Sequence, residues 1–153
     1  IDLLIDAVKE LRNDREFVLF VLGTGKRMDY LKKKSAGLPI VYLGYVINPL
    51  PWYKAADLFF LPSYREGLGN SLIEAQLLGT TAIASDCPCG PKEIIQLFNN
   101  GINFGVGDLS DLKTKIQSVN IVKKKKVEID KLNYFDEDKV ADEYLKFFTG
   151  LSK

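Results

Sequence analysis

Leu58-Phe-Phe-Leu-Pro-Ser-Tyr-Arg-Glu-Gly-Leu-Gly-Asn-Ser-Leu-Ile-Glu-Ala-Gln-Leu-Leu78 reads as a strand, a glycine loop and a helix in direct succession. Four consecutive apolar residues, Leu58 to Leu61, suit a short strand covered on both faces. Pro62 has no N–H to continue a ladder, and Gly67 and Gly69 punctuate the loop after it. From Ser71 to Leu78 the pattern turns helical. The same unit recurs outward in both directions. Upstream, the unbroken run Phe17–Leu22 predicts a strand buried on both faces and ended by Gly23-Thr-Gly25, before a helix from about Arg27 to Ser35. A strand Ile40–Leu43, the turn residues Gly44, Asn48, Pro49 and Pro51, and a one-turn helix near Trp52–Ala56 come next. Downstream lie a strand Thr81–Ala84, a helix Pro91–Phe98 and a strand Ile102–Val106. Leu109, Leu112, Ile116 and Val119 mark a further helix, and Val140, Tyr144, Phe147 and Phe148 a last one. At the front, Ile1, Leu4, Ile5, Val8 and Leu11 recur at helical spacing. Short strands alternating with helices specify an open, doubly wound parallel α/β sheet.

The 153 residues are enough for one domain, and 46% apolar content with 9 Phe, 7 Tyr and 1 Trp can build its core. Lys and Arg number 21 against 20 Asp and Glu, a net charge of +1, which lacks the basic footprint of a nucleic-acid binder. The chain has no histidine, so every imidazole-based nucleophile or metal site is excluded. The two cysteines, Cys87 and Cys89, are one residue apart and assemble neither a disulfide framework nor a four-ligand zinc site. No apolar run reaches the roughly 18 residues of a membrane span. Lys123–Lys126 is the one charge run and reads as a solvated connector; against an anionic bilayer those lysines would add at most about 1 kcal/mol each.

In an open α/β sheet, ligands bind beyond the carboxyl ends of the strands. Gly23-Thr-Gly25-Lys26 follows the strand at 17–22: its small residues admit a ligand close to backbone, and Lys26 is placed to face a phosphate. Its spacing matches neither phosphate-loop fingerprint, and the plainer reading, a tight β-to-α turn with a surface lysine, is the stronger for this loop on its own. The loop Pro62–Ser71 is richer. Gly67 and Gly69 flank Leu68 and leave a run of N–H groups that feeds a helix N-terminus, where anions are attracted. Glu66 before the glycines and Glu74 on the first turn supply acceptors for hydroxyls. Each has a plainer reading too. Ser71-Leu-Ile-Glu74 spells a capping box, and Glu66 stands beside Arg65 as a solvated loop carboxylate. Their joint occurrence in one glycine loop at a strand's carboxyl end points to a site for sugar, ribose and phosphate together.

Pro62-Ser63, Glu66-Gly-Leu-Gly-Asn-Ser-Leu-Ile-Glu74-Ala75, Gly79-Thr-Thr-Ala-Ile-Ala-Ser-Asp86 and Gly90-Pro-Lys-Glu-Ile94, in this order, resemble the nucleotide-sugar-binding domain of the family 4 retaining glycosyltransferases, or glycosyl transferases group 1. The likeness covers nearly the whole chain, and Asp86-Cys-Pro-Cys-Gly-Pro-Lys-Glu-Ile94 resembles members that extend surface polysaccharides and lipid-linked oligosaccharides. The resemblance implies a Rossmann-like sheet that is the C-terminal half of a GT-B architecture. It implies that Glu66 is the catalytic-site carboxylate, bonding donor-sugar hydroxyls, and that Gly67, Leu68 and Gly69 meet sugar and diphosphate. Asn70 and Ser71 would open the helix facing the diphosphate, Glu74 would take the ribose hydroxyls, and Tyr45 and Val46 after Gly44 would lie along the base. For Tyr45 and Val46, packing beyond a strand end is the alternative. Gly25 and Lys26 join the donor-binding set from the first loop, and Cys87 and Cys89 are read as small buried residues.

By the same resemblance, the substrate is a nucleotide diphosphate sugar, uridine-linked, used with retention and without metal or other cofactor. The one Asp-x-Asp, Asp136-Glu-Asp138, opens the final helix, where carboxylates serve dipole and cap. The leaving diphosphate accepts the acceptor's proton, so the protein positions groups and stabilises departing charge. A glycan or lipid-linked glycan is the implied acceptor, no nucleic acid is involved, and the implied location is cytoplasmic, in peripheral contact with the inner membrane's cytoplasmic face. A doubly wound sheet opens with a strand whereas this chain opens inside a helix. The expectation is therefore that residues 1–153 form the donor-binding domain, lacking its first strand, the family's Arg–Lys pair and the N-terminal acceptor domain, and are inactive alone. A non-hydrolysing nucleotide-sugar epimerase and a non-catalytic binding module are the alternative functions.

Overall fold

The computed structural model describes residues 1–14, 16–119 and 129–150. Five strands alternate with helices along it. β1 (Leu19–Leu22) pairs in parallel with β2 (Ile40–Gly44), while β3 (Leu58–Leu61), β4 (Thr81–Ser85) and β5 (Gly101–Phe104) form a second parallel group with β4 at its centre. The helices are α1 (Asp2–Leu11), α2 (Met28–Lys34), α3 (Leu50–Ala55), α4 (Asn70–Leu77), α5 (Pro91–Phe98), α6 (Leu109–Ser118) and α7 (Glu137–Gly150), the last preceded by a 3-10 turn at Ile129–Phe135. The parallel α/β class is as expected, and the two strand groups replace the single continuous sheet.

β4 shows how the sequence builds two covered faces. Successive side chains of a strand point to opposite sides. Ala82 and Ala84 pack with Leu72 and Ile73 of α4 and with Ile94, Ile95 and Phe98 of α5, their small size admitting both helices. Ile83 packs the other way, with Leu4 and Ala7 of α1, Leu112 of α6 and Phe104. That second cluster also takes in Leu19 of β1 and Leu58 and Phe60 of β3, so α1 joins the two strand groups. Its polar edge adds ion pairs: Asp2 with Arg27 at 3.0 Å, Asp6 with Lys34 at 2.7 Å, and Glu10 with Lys113. Partial burial opposes ionisation of Asp2, but a Tyr30 hydrogen bond, Arg27 and Lys34 together hold its carboxyl below the usual value.

β1 corrects one expectation. Rather than being buried on both faces, the run at 17–22 leaves Val18 exposed and Phe20 47% exposed, its ring 5.5 Å from Trp52. Among the described residues β1 pairs with β2 alone, and the face that carries Val18 and Phe20 has less cover than the apolar run would need. The last helix forms where its periodicity places it, yet Val140, Tyr144, Phe147 and Phe148 are all exposed. Asp136 accepts from Lys139 N at 3.1 Å, the capping role read for that acidic triplet. Lys123–Lys126 lies outside the described residues.

Candidate donor-binding site

The carboxyl ends of β1 and β2 are fastened to each other. Gly23 N donates to Gly44 O at 2.6 Å, with both glycines at positive φ (111° and 71°). The Gly25-Lys26 turn and the Tyr45-Val46 loop are thereby tied together. Lys26 is exposed, Val46 half-buried, and Tyr45 is 77% exposed, so packing does not account for Tyr45. Among the described residues, no hydrogen bond or ion pair links these two loops to Pro62–Ser71.

The loop after β3 is built in layers. Gly69 is the residue before α4, buried and left-handed at φ 82°, with Leu61 and Ile94 beneath it. Gly90 supports it from the loop after β4: a Cβ there would stand 2.6 Å from Leu68 O. α4 begins at Asn70, one residue before the expected Ser71, and no side chain caps it. Leu72 N and Ile73 N both donate to Gly69 O, at 2.9 and 3.2 Å. The amides of Gly67, Leu68, Gly69, Asn70 and Ser71 have no acceptor among the described residues. These five free donors follow one another into the positive end of a helix dipole, a setting that favours an anion.

The two carboxylates have different surroundings. Glu66 is half-buried, and Ser63 Oγ donates to its Oε1 at 2.5 Å. That contact corrects the picture of a solvated carboxylate beside Arg65, because the strand exit turns Ser63 inward to meet it. The capping-box reading of Glu74 fails for a related reason: with Gly69 at the cap, Ser71 lies inside the helix and offers Glu74 no cap to complete. Glu74 is half-buried, and its carboxylate accepts no hydrogen bond from the described residues. It faces Tyr53, whose phenol is pushed up by its burial and then by the Glu74 charge.

Cys87 is buried as expected but Cys89 is exposed, a correction: it takes a left-handed conformation (φ 66°) that turns the chain into Gly90. Asp86 and Lys92 bridge that turn at 3.4 Å. Among the described residues, no group of three His, Cys, Asp or Glu side chains is disposed to hold a metal ion. Tyr53 lies outside the motif altogether, and for Ser63, Ser85 and Gly90, which stand in it, the motif alone assigns no part in the site. Of these, Ser63 carries a local signal, since it lies three residues before Glu66.

Parallel strands alternating with helices, with glycine loops at the carboxyl ends of β1 and β3, make a Rossmann-like half of the GT-B architecture. The model of the glycosyl transferases group 1 matches residues 1–119, and this chain belongs to that family. It is 31% identical over 118 residues to the N,N'-diacetylbacillosaminyl-diphospho-undecaprenol alpha-1,3-N-acetylgalactosaminyltransferase of Campylobacter jejuni, covering 73% of this chain and 31% of that one. To the lipopolysaccharide core biosynthesis glycosyltransferase LpsE of Rhizobium meliloti it is 28% identical over 120 residues, covering 76% and 34%. A variant of Staphylococcus aureus TarM, solved with fondaparinux, alpha-GlcNAc-glycerol and UDP, superposes with a TM-score of 0.79 at 22% identity, over 96% of this chain and 32% of that one. The chain thus spans about a third of the length of these relatives.

Proposed function

We propose that residues 1–153 form the donor-binding half of a retaining glycosyltransferase. It takes a hexose or N-acetylhexosamine from a nucleotide diphosphate sugar, uridine-linked, and delivers it to a glycolipid or surface-polysaccharide acceptor. The observation that carries this reading is the loop at 66–71: five unsatisfied amides at a helix N-terminus between a held carboxylate, Glu66, and an uncapped one, Glu74. The amides and dipole receive the diphosphate, Glu66 bonds donor-sugar hydroxyls, and Glu74 takes the ribose pair. Tyr45 and Val46 lie along the base, with Gly25 and Lys26 near the phosphates. No metal is required, because the amides stabilise the departing diphosphate and the diphosphate itself takes the acceptor's proton.

The topology supports a place for this half in a larger sheet. Among the described residues, β1 and β3 each have one unpaired edge, and α1 packs against both groups. In the doubly wound order 3-2-1-4-5-6, the strand between those two edges is the first, and α1 is the helix that comes after it. A strand ahead of α1 fits that slot. No helix among the described residues is long and apolar enough to cross a membrane. A lipid-linked acceptor, like those named for the Campylobacter relative, would be met from the cytoplasmic face of the inner membrane.

The testing experiment is product analysis with the full-length enzyme, a uridine diphosphate sugar and a lipid-linked acceptor. The reading expects a glycosylated acceptor whose new linkage keeps the donor's anomeric configuration. An inverted linkage, or an epimerised free nucleotide sugar, overturns it.

A further inference from the structure

Ser85 is the last residue of β4 and 1% exposed. Its hydroxyl reaches across to the strand beside it, donating to Ser63 O at 2.5 Å, with Leu61 O at 3.3 Å. A hydroxyl has one hydrogen to give, so the shorter contact is the principal bond. This is the point at which β3 leaves the sheet: Leu61 pairs with Ala84, and Pro62 then ends the run of backbone donors. The buried hydroxyl takes over where the ladder stops and fixes the carbonyl of Ser63. The side chain of that same Ser63 donates to Glu66 Oε1 at 2.5 Å. A continuous chain of bonds therefore runs from the rigid centre of the sheet to a carboxylate on a glycine loop.

We propose that Ser63 and Ser85 are positioning residues that hold the Glu66 carboxylate in the orientation needed for the donor sugar, Ser63 directly and Ser85 through the Ser63 backbone. The inference rests on the donor-binding role of Glu66. Its physical basis is that a carboxylate followed by Gly67 is tethered by flexible backbone on one side, so its orientation has to be imposed from the other. A charge-assisted bond from a hydroxyl anchored on β4 does so without neutralising the carboxylate. Glu66 arrives oriented, and the loop is spared that ordering step when the donor binds.

The test is a double-mutant cycle in the full-length enzyme, reading turnover and donor KM. Ser63→Ala is expected to lower turnover by roughly ten- to a hundredfold, the scale of a misplaced catalytic group, with donor KM changed less than threefold. Ser63→Thr, which keeps the hydroxyl, is expected to recover most of that loss. In a Glu66→Ala background, Ser63→Ala is expected to cost nothing further, and Ser85→Ala likewise. Losses that simply multiply in the double variant would overturn the relay. If Glu66→Ala leaves turnover unchanged, the role of Glu66 fails instead. A crystal structure of the Ser63→Ala enzyme then judges the relay separately: a displaced Glu66 carboxylate upholds it and an unmoved one overturns it.

Discussion

The backbone of Gly90 rests on that of Leu68, so close that a Cβ at Gly90 would stand 2.6 Å from the Leu68 carbonyl oxygen. The loop after β4 is thereby a floor for the glycine loop after β3. Gly90 also has φ 93°, a conformation L side chains rarely adopt. Gly90→Ala combines strain with a backbone clash and is expected to destabilise the domain by about 2 kcal/mol or more, with loss of donor affinity. Urea unfolding and calorimetric titration with UDP would check both.

Gly67 is the contrasting case. It has no atom within 4 Å of a Cβ position and no positive φ. Gly67→Ala is expected to change stability by no more than about 0.5 kcal/mol while placing a methyl group where the donor approaches. Donor affinity is expected to fall with the unfolding midpoint intact. A drop in both together would count against an open binding surface at this glycine.

Glu74 and Tyr53 give a prediction in pH. Burial raises the Tyr53 phenol above its ordinary value of 10.0, and the Glu74 charge adds to it. Glu74→Gln removes the charge but not the burial, so the Tyr53 titration followed by ultraviolet absorbance should move down part of the way. The same substitution should weaken UDP binding by about 1–3 kcal/mol, the scale of a lost charged hydrogen bond. An unmoved Tyr53 titration would mean that the two side chains do not share an environment.

Asp2 predicts the acid limb of stability. Its carboxyl is held below the ordinary 3.8 by Tyr30, Arg27 and Lys34 against the opposing effect of burial. A depressed acid contributes stability above its unfolded value, and the contribution is lost as pH falls through the folded one. For a pair this exposed it amounts to about 1 kcal/mol or less. Asp2→Asn should be slightly less stable than the parent at pH 7, with the gap closing below pH 3.8. Urea unfolding across that range tests it.

How far the sequence discloses this molecule depends on the range of the forces involved. The bounds of β3 at Leu58–Leu61 and α5 at Pro91–Phe98 are legible because local signals agree: an apolar run closed by Pro62, and a first-turn proline with Asn99 left-handed at the end. The start of α4 is not. Ser71 is the better cap by composition, but the cap position falls on Gly69, which takes a left-handed φ of 82° and is buried in the folded chain. Phe20 looks like core because β-formers surround it, and its exposure arises because the strand face it shares with Val18 is only partly covered, which depends on what the folded chain packs there. The glycine loop and its two carboxylates are visible as a motif. The hold on Glu66 is half visible, since Ser63 is three residues away, whereas Ser85 comes from another strand and leaves no trace at that spacing.

The central claim, that the amides at the start of α4 grip the donor diphosphate, is most directly tested by hydrogen exchange in the full-length enzyme with and without saturating UDP. Slower exchange at Gly67, Leu68, Gly69, Asn70 and Ser71, weakened by Glu74→Gln, is the predicted result. Saturable UDP binding that leaves exchange at those five amides unchanged would contradict it.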